Sequence, residues 1–576
     1  MNSYLELLKA KANLEQKSYS HNIELVVLNN ITTNPIKDYL EYNCAVNNIN
    51  IDITFGDYDN ISQNAQEFDL NNKIVLIFWE LANCLHGLEY KIDSFDTEHI
   101  YALEQKIQAE LQLTFAALAN ASLVIMNRFT ALPFSYLQTQ TGELEELAIR
   151  LNRFCEEHAP KSIKWVNTDK CLVQSGIENT IDFKGYLKNK LLYKHGFYMS
   201  YMKLIQPYFN AVTGQVKKLL ALDCDNTLWK GILGEDGFDH IAMDENTYKG
   251  QAFAAAQYRA MSLGKKGVLL ALASKNNEED VDKVLENHAD LTIKQDVLVA
   301  KKVNWEAKSE NLKQLASELN IGVDSFVFVD DSDFEVQLMR DQVPSVETIQ
   351  VPKNAVQYYV DQQQWTNYFL QLNESQEDGK KLDQYKQNVA RSKAEGKSQS
   401  FEDFLKALNL ELTIYKNDEQ LISRMAQMTQ KTNQFNLTTP RYTEAQITQF
   451  VNDEAYDCFA FGVKDKFGDS GITGLCIVNY VDENTAHIDA LLMSCRILGR
   501  TVEYRFLEEV LTQVFAKTQH LEGSYIVTKK NAQVADFYPK IGFQLKEQSE
   551  TMTVYSMKKA TFAAANAYNY ITLHYA

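Results

Sequence analysis

Three short apolar runs each stop abruptly at polar residues: KKLLALDCD, GVLLALASK and SFVFVDD. They are continuous rather than alternating, so both faces of each strand must be covered by protein. That is the pattern of buried parallel strands in a layered α/β fold. Open sheets of this kind place ligands at the carboxyl ends of their strands. The polar residues that close each run are therefore the first place to look for chemistry. The same rhythm runs through the start of the chain in IELVVLNN, KIVLIFWEL, ASLVIMN and KSIKWVN. It returns later in LELTIYK, YDCFAFGVKD, GITGLCIVNYV and TAHIDALLM, with the helix VEYRFLEEVLTQVFAKT.

A chain of 576 residues exceeds one hydrophobic core. The expected organisation is three α/β domains at 1–212, 213–370 and 401–560, with a tail at 561–576. The stretch 371–400 is charged and nearly free of large apolar groups, which predicts a solvated helical linker. A net charge of −19 disfavours nucleic acid and anionic membrane as partners. No apolar run approaches the ~20 residues of a membrane span, and the amphipathic start lacks the apolar core of a signal peptide. The eight cysteines are scattered without a Cys-x-x-Cys pair. That suits a reducing compartment, and a cytoplasmic location is expected.

Asp223 and Asp225 lie two apart at the end of one run, so in extended geometry they point to the same side. Like charges that close resist joint ionisation. Thr227 follows in the turn, Ser274 ends the next run, Lys308 lies in NWEAKSENL, and Asp330 and Asp331 end the third. Carboxylates at two strand ends make a hard-oxygen site suited to Mg²⁺, with a hydroxyl and an ammonium left to hold phosphoryl oxygens. Cys224, between the aspartates, is expected to face away as core.

The ordered set Asp-x-Asp-x-Thr, strand-end Ser, Lys and acidic pair resembles the haloacid dehalogenase (HAD) superfamily of phosphotransferases. The resemblance implies Asp223 as nucleophile, Asp225 as acid-base, and Ser274 and Lys308 as phosphoryl holders. Thr227, Lys275 and Asn276 are assigned to substrate binding, and Asp223, Asp225, Asp330 and Asp331 to Mg²⁺. About 50 residues separate Asp223 from Ser274 and about 34 separate Ser274 from Lys308, too few for a cap domain. WKGILGEDGF leaves room for a flap only. An open site of this kind admits a bulky or carrier-borne substrate, or is closed by a neighbouring domain.

In the third block, Arg496-x-x-Gly499-x-Thr501 follows a strand and precedes a helix, a turn suited to a pyrophosphate. With Asn531 and Tyr538 ahead of IGF, it resembles the N-acetyltransferase-like (GNAT-like) fold, which implies ligand-binding roles for Arg496, Gly499, Asn531 and Tyr538. Cys495 beside that turn is either a transient acyl carrier, its thiolate favoured there, or a half-buried strand residue. Lys431, Asn433, Gln434 and Asn436 either line the same groove or hold a loop. KTNQFNLTTPRY, DKFGDSG, SCRILGR and DNTLWKGILGEDG together resemble the FkbH-like proteins, which join a capless phosphatase-like domain to an acetyltransferase-like one. Two positions depart from that family: Ala273 where it usually has Cys, and Ser332-Asp333 where it usually has Asn-Pro.

The first block, by the same resemblance, is SGNH-hydrolase-like or flavodoxin-like. It has Asn29, Asn30 and Thr32 where an active esterase has Gly-Asp-Ser, and Asp96 and His99 come too early to serve as partners. Docking or substrate recognition is expected of it, and His195 is either a surface histidine, the reading expected here, or a line into the phosphatase site. The fold class is thus a three-domain α/β chain: SGNH-like, capless HAD-like (Rossmannoid) and GNAT-like. The resemblance implies a phosphatase and acyltransferase taking a small phosphorylated acyl donor. That donor would be a glyceryl group from 1,3-bisphosphoglycerate, loaded on the phosphopantetheine thiol of an acyl carrier protein. An amino sugar acceptor in surface-polysaccharide synthesis and a non-catalytic scaffold are the alternatives.

Overall fold

The computed structural model describes residues 3–14, 19, 21–372, 381–395, 400–528, 530–563 and 568–576. The chain is a multidomain α/β protein with three sheets among the described residues, divided into two compact units, Met1–Thr213 and Gly214–Ala576. Among the described residues no helix is long and apolar enough to cross a membrane.

The first unit holds five parallel strands, β1 (His21–Asn29), β2 (Ile49–Phe55), β3 (Ile74–Phe78), β4 (Leu123–Asn127) and β5 (Ile163–Val166), in the order β2-β1-β3-β4-β5. β3 and β4 are buried at every residue, as their continuous apolar sequences require. Just past β3, the Asn30 side chain brackets the Glu80 backbone. Its Nδ2 donates to the Glu80 carbonyl at 2.9 Å, and its Oδ1 accepts from the Glu80 N–H at 2.7 Å. The Tyr193 hydroxyl donates to Glu80 Oε1 at 2.5 Å. Burial drives the Glu80 carboxyl up to about 7, against the opposing pull of that hydroxyl.

A carboxyl raised on folding binds its proton more tightly in the folded state. Its stabilising contribution is therefore complete below the ordinary value of 4.5 and is lost as pH rises through about 7. The expected loss is about 3 kcal/mol across that window. Glu80→Gln should flatten this unit's unfolding free energy between pH 5 and 8, read by urea titration. An unchanged slope would mean that Glu80 is ionised throughout.

The second unit begins with β6 (Leu219–Leu222), β7 (Leu269–Ser274), β8 (Ala300–Val303), β9 (Phe326–Asp330) and β10 (Glu347–Gln350), parallel in the order β10-β9-β6-β7-β8. β6, β7 and β9 are wholly buried. The register sets Leu222 beside Leu272 and Val329. Asp223 consequently falls level with Ala273 and Asp330, and its N–H continues the ladder to the Val329 carbonyl at 3.0 Å. Between β6 and β7 lie a short flap, closed by a bridge between Lys230 and Ala242, and the helix Tyr248–Lys265.

The third sheet comprises β11 (Glu411–Lys416), β12 (Phe435–Asn436), β13 (Tyr456–Asp465), β14 (Gly468–Tyr480), β15 (Thr485–Met493), β16 (His520–Ile526), β17 (Gln544–Gln548), β18 (Met552–Lys558) and β19 (Thr572–Tyr575). β15 and β16 pair in parallel only from Thr485 to Ile488. Beyond that β12 lies along β15, Phe435 opposite Met493. The Leu437 N–H then donates to Leu491 and its carbonyl accepts from the Ile526 N–H. The chain's own residues 435–437 thus fill the opening between the two strands.

The tail, on which the sequence was silent, returns as β19 to pair in parallel with β11. The helix Lys381–Glu395 differs from the solvated linker expected of its composition: Gln384, Tyr385, Asn388 and Arg391 are buried. Arg391 donates to both oxygens of buried Asp465, at 2.6 and 2.7 Å, and Arg500 approaches the same carboxylate at 3.3 Å. Buried contacts of Gln384 with the Ser470 carbonyl, Asn388 with the Arg496 carbonyl and Arg391 with Asp465 account for these polar residues.

Candidate active site

The strand-end residues of the second sheet converge. Lys308 opens the helix Lys308–Leu319, and its buried Nζ lies 2.6 Å from Asp330 Oδ2 and 2.9 Å from Asp223 Oδ1. Asp330 Oδ1 accepts from the Ser332 N–H at 2.9 Å. Oxygens of Asp223, Asp330 and Asp331 all lie within 4.8 Å of one another. Asp225 stands apart from this trio. Its Oδ1 accepts from Trp229 Nε1 and the Leu233 N–H, both at 3.0 Å, and its Oδ2 accepts from Asn276 Nδ2 at 3.0 Å. Of the four carboxylates expected to bind Mg²⁺, the close group comprises Asp223, Asp330 and Asp331, while the Asp225 oxygens face donors from the flap and from the end of β7.

The turn after β6 explains this arrangement. Asn226 is left-handed, with φ 51°, a conformation that Asn tolerates better than most residues. The reversal brings Trp229 back over Asp225, the i to i+4 contact that the sequence reading missed. Thr227 is buried and its hydroxyl has no partner among the described residues. Ser274 is buried beside Asn276 Nδ2 at 3.3 Å. Lys275 turns to Glu335, 2.7 Å away. Cys224 is fully buried, as expected, and burial pushes its thiol well above the ordinary range.

Two carboxylates, Asp223 and Asp330, thus contact one ammonium, with Asp331 grouped beside them. Burial, then the Asp223 charge, raises Asp330 to about 6, with Lys308 pulling the other way. Burial and Asp223 likewise raise Asp331. Burial raises Asp225 against its three donors, which favours the protonated form that an acid catalyst needs. Burial alone would lower Lys308, but Asp223 and Asp330 outweigh it and hold the ammonium charged.

The third-sheet candidates are engaged internally. Arg496 is buried and donates to the Ser470 carbonyl at 2.9 Å. Asn531 donates to the Asn436 and Ile526 carbonyls at 2.9 and 2.8 Å and accepts from the Thr528 N–H at 2.8 Å. Gly499 takes φ 79° as a tight turn requires, but Thr501 at the start of the helix Val502–Lys517 meets the Tyr570 hydroxyl at 2.5 Å. Tyr568 stacks on Tyr504 in that helix's first turn. Tyr538 is buried, its hydroxyl without a partner among the described residues.

Cys495 opens a single 3₁₀ turn rather than the helix itself, and its Sγ lies 3.9 Å from the Tyr385 hydroxyl. Asn320, at the far end of the helix that Lys308 opens, donates to the Cys495 carbonyl at 2.7 Å. Twelve residues of helix rise about 18 Å. The structure therefore does not bring Cys495 to Asp223. Asn433, Asn436 and Lys431 hold their loop through Gly214, Thr432 and Gln371, while the Gln434 side-chain oxygen is buried without a partner among the described residues.

In the first unit, Thr32 donates to the Asn189 carbonyl at 2.6 Å. Asp96 caps the helix Thr97–Ala117 and meets His99 at 2.7 Å, both exposed. His195 Nδ1 lies 2.9 Å from the Tyr39 hydroxyl, and its Nε2 is buried rather than at the surface.

No protein-family model matches the chain, and no curated protein matches it. Among solved structures, it is similar to the N-terminal part of a Bacteroides fragilis protein containing a phosphatase domain, complexed with Mg. That likeness spans 64% of this chain and 99% of the other, at 22% identity and a TM-score of 0.53, and is one of fold. Campylobacter jejuni N-acetyltransferase PseH, in complex with acetyl coenzyme A, matches 20% of this chain and 75% of its own at 16% identity and TM-score 0.17. The Escherichia coli ribosomal-protein-S18-alanine N-acetyltransferase matches 27% of this chain and 99% of its own at 12% identity and TM-score 0.21.

Proposed function

We propose that this chain is a Mg²⁺-dependent phosphatase acting through an aspartyl-phosphate, coupled to acyl transfer by its third sheet. The convergence of Asp223, Asp225, Ser274, Lys308 and the Asp330-Asp331 pair at adjoining strand ends carries the reading. Three carboxylates with oxygens within 4.8 Å of one another are a donor set that fits a small hard cation, and Asp223, Asp330 and Asp331 would hold it. Bound there, Mg²⁺ supplies charge neutralisation for an incoming phosphoryl group.

The chain's residues do the rest. An Asp223 oxygen attacks phosphorus in line, and the bond to the leaving oxygen breaks as Asp225 gives that oxygen a proton. Ser274 and Lys308 hold the phosphoryl oxygens. Asp225 then takes a proton from water, whose oxygen attacks phosphorus, releasing inorganic phosphate and restoring Asp223. The family resemblance supports a phosphorylated acyl donor such as 1,3-bisphosphoglycerate and a carrier thiol as acceptor. Attack at phosphorus would free the acyl end only as its carboxylic acid, so Asp223 takes the phosphate ester, whose oxygen leaves as an alcohol, and the carrier thiol attacks the acyl carbonyl carbon as inorganic phosphate leaves. Since Cys495 is remote from Asp223, direct transfer fits better than a relay through that thiol. The engaged Arg496 and Asn531, with residues 435–437 in the strand opening, favour a second reading in which the third sheet binds the carrier without catalysing.

The test is phosphate release from acyl phosphates with and without chelator. EDTA should abolish turnover and Mg²⁺ restore it. Asp331→Asn should raise the Mg²⁺ concentration for half-maximal rate by roughly tenfold or more. Full activity in EDTA would exclude the metal, and an unchanged Mg²⁺ requirement would remove Asp331 from the ligand set. A phosphopantetheinylated carrier should bind and an unmodified one bind far less. Equal binding would argue against a thiol acceptor.

A further inference from the structure

The loops around this site carry large apolar side chains held out in solvent. Ile232 in the flap after β6 is 37% exposed, Trp305 in the loop after β8 is 70% exposed, and Phe334 just past the acidic pair is 67% exposed. Exposed apolar groups are unremarkable singly, but three in the strand-end loops of one catalytic sheet are a different matter. Trp305 is also fixed in place. Its Nε1 donates to Asn277 Oδ1 at 3.1 Å, and the preceding residue, Asn276, donates to Asp225. The indole is therefore anchored by its edge to the loop that holds the acid catalyst, while most of its surface faces water.

The nearby cations are already engaged. Lys230 donates to Asn226, Lys275 to Glu335, and Lys308 to Asp330. A second anionic group on the substrate would find no uncommitted lysine among these, whereas an apolar or planar group would find the indole.

We infer that Trp305 is a specificity-determining residue, a platform for the non-phosphate body of the substrate, which selects phosphorylated acyl groups with an apolar or planar body over compact polar ones. The inference rests on the phosphatase reading and assigns its substrate class, with an apolar or planar body in place of the compact 1,3-bisphosphoglycerate that the family resemblance supports. Aromatic stacking and apolar burial on such a platform favour a planar ligand in ground state and transition state alike. Its loss should therefore appear in KM rather than kcat.

The experiment compares acetyl phosphate with benzoyl phosphate as substrates of the full chain with Mg²⁺. Both undergo the same cleavage and differ only in the body. Trp305→Ala should raise KM for benzoyl phosphate by about tenfold with kcat held within about twofold, and leave acetyl phosphate unchanged within about twofold. Trp305→Phe, which keeps a platform and loses the N–H, should keep the benzoyl KM within about threefold. Equal effects of Trp305→Ala on both substrates, or none on either, would overturn the platform. Failure of the wild-type chain to cleave either substrate would overturn the phosphatase reading, and this inference with it.

Discussion

Asp223→Asn should lower phosphate release by roughly 10⁴-fold or more, above about 5 kcal/mol of lost transition-state stabilisation. The amide has the shape of the carboxylate but cannot form the acyl-phosphate bond, so the chemical step fails while the site keeps its outline. Asp223 is buried, and Lys308 retains its 2.6 Å contact with Asp330, so the ammonium is not stranded by the change. The variant should therefore fold and unfold much as the wild type does. Acid quenching during turnover should trap a hydroxylamine-labile phosphate on the peptide containing Asp223 in the wild type and none in the variant. Turnover within tenfold of wild type would exclude the aspartyl-phosphate route. Loss of turnover together with loss of fold would implicate the charge balance around Lys308 instead.

The strands that build this site were legible in the sequence because burial on both faces leaves no choice of residue. LLAL, LLALAS and FVFVD are apolar up to the residue where the sheet ends, so the positions of Asp223, Ser274 and Asp330 followed directly. The division of labour among the carboxylates did not follow. Two aspartates at i and i+2 share a side in an extended strand, but the strand stops at Leu222, and the left-handed turn at Asn226 swings Trp229 and the flap onto Asp225. Backbone conformation in a turn, not side-chain alternation, decides which oxygens face the trio.

The third block was harder to read. Arg496, Asn531 and the Gly499 turn have the residue types of a ligand site, yet each is engaged by segments distant in sequence: Ser470, Asn436 and Tyr570. A donor that binds a ligand and a donor that binds a remote carbonyl are identical in one dimension. The helix Lys381–Glu395 posed the same problem from the other side. Composition counts charges, but it cannot show that Arg391 and Asp465 meet across 74 positions.

Those same contacts set the second large expectation. Asp465→Asn should cost about 3–5 kcal/mol of stability in the Gly214–Ala576 unit, because breaking a buried ion pair leaves the surviving charge without compensation. Here two guanidiniums share the lost carboxylate, Arg391 through a bidentate contact at 2.6 and 2.7 Å and Arg500 at 3.3 Å. Asp465 Oδ1 also accepts from the Phe467 N–H at 2.9 Å, which holds the turn between β13 and β14, so an amide placed there keeps that bond only if its oxygen faces the turn.

Urea titration followed by tryptophan fluorescence should show a lower midpoint for this unit. Replacing Arg391 by Met, Asp465 by Leu and Arg500 by Met together should recover part of the loss, since apolar groups of similar size remove the desolvation penalty along with the attraction. A change below about 1 kcal/mol in Asp465→Asn would mean that water reaches the network and screens it. Because the helix Lys381–Glu395 packs on the helix that Lys308 opens, with Tyr385 in the same cluster as Leu312, Leu315 and Leu319, heating should inactivate the variant phosphatase earlier than the wild type. At low temperature, where the unit remains folded, the two should turn over acyl phosphate at the same rate. A rate difference persisting there would show that the network acts on the geometry of the site itself, through the position of Lys308.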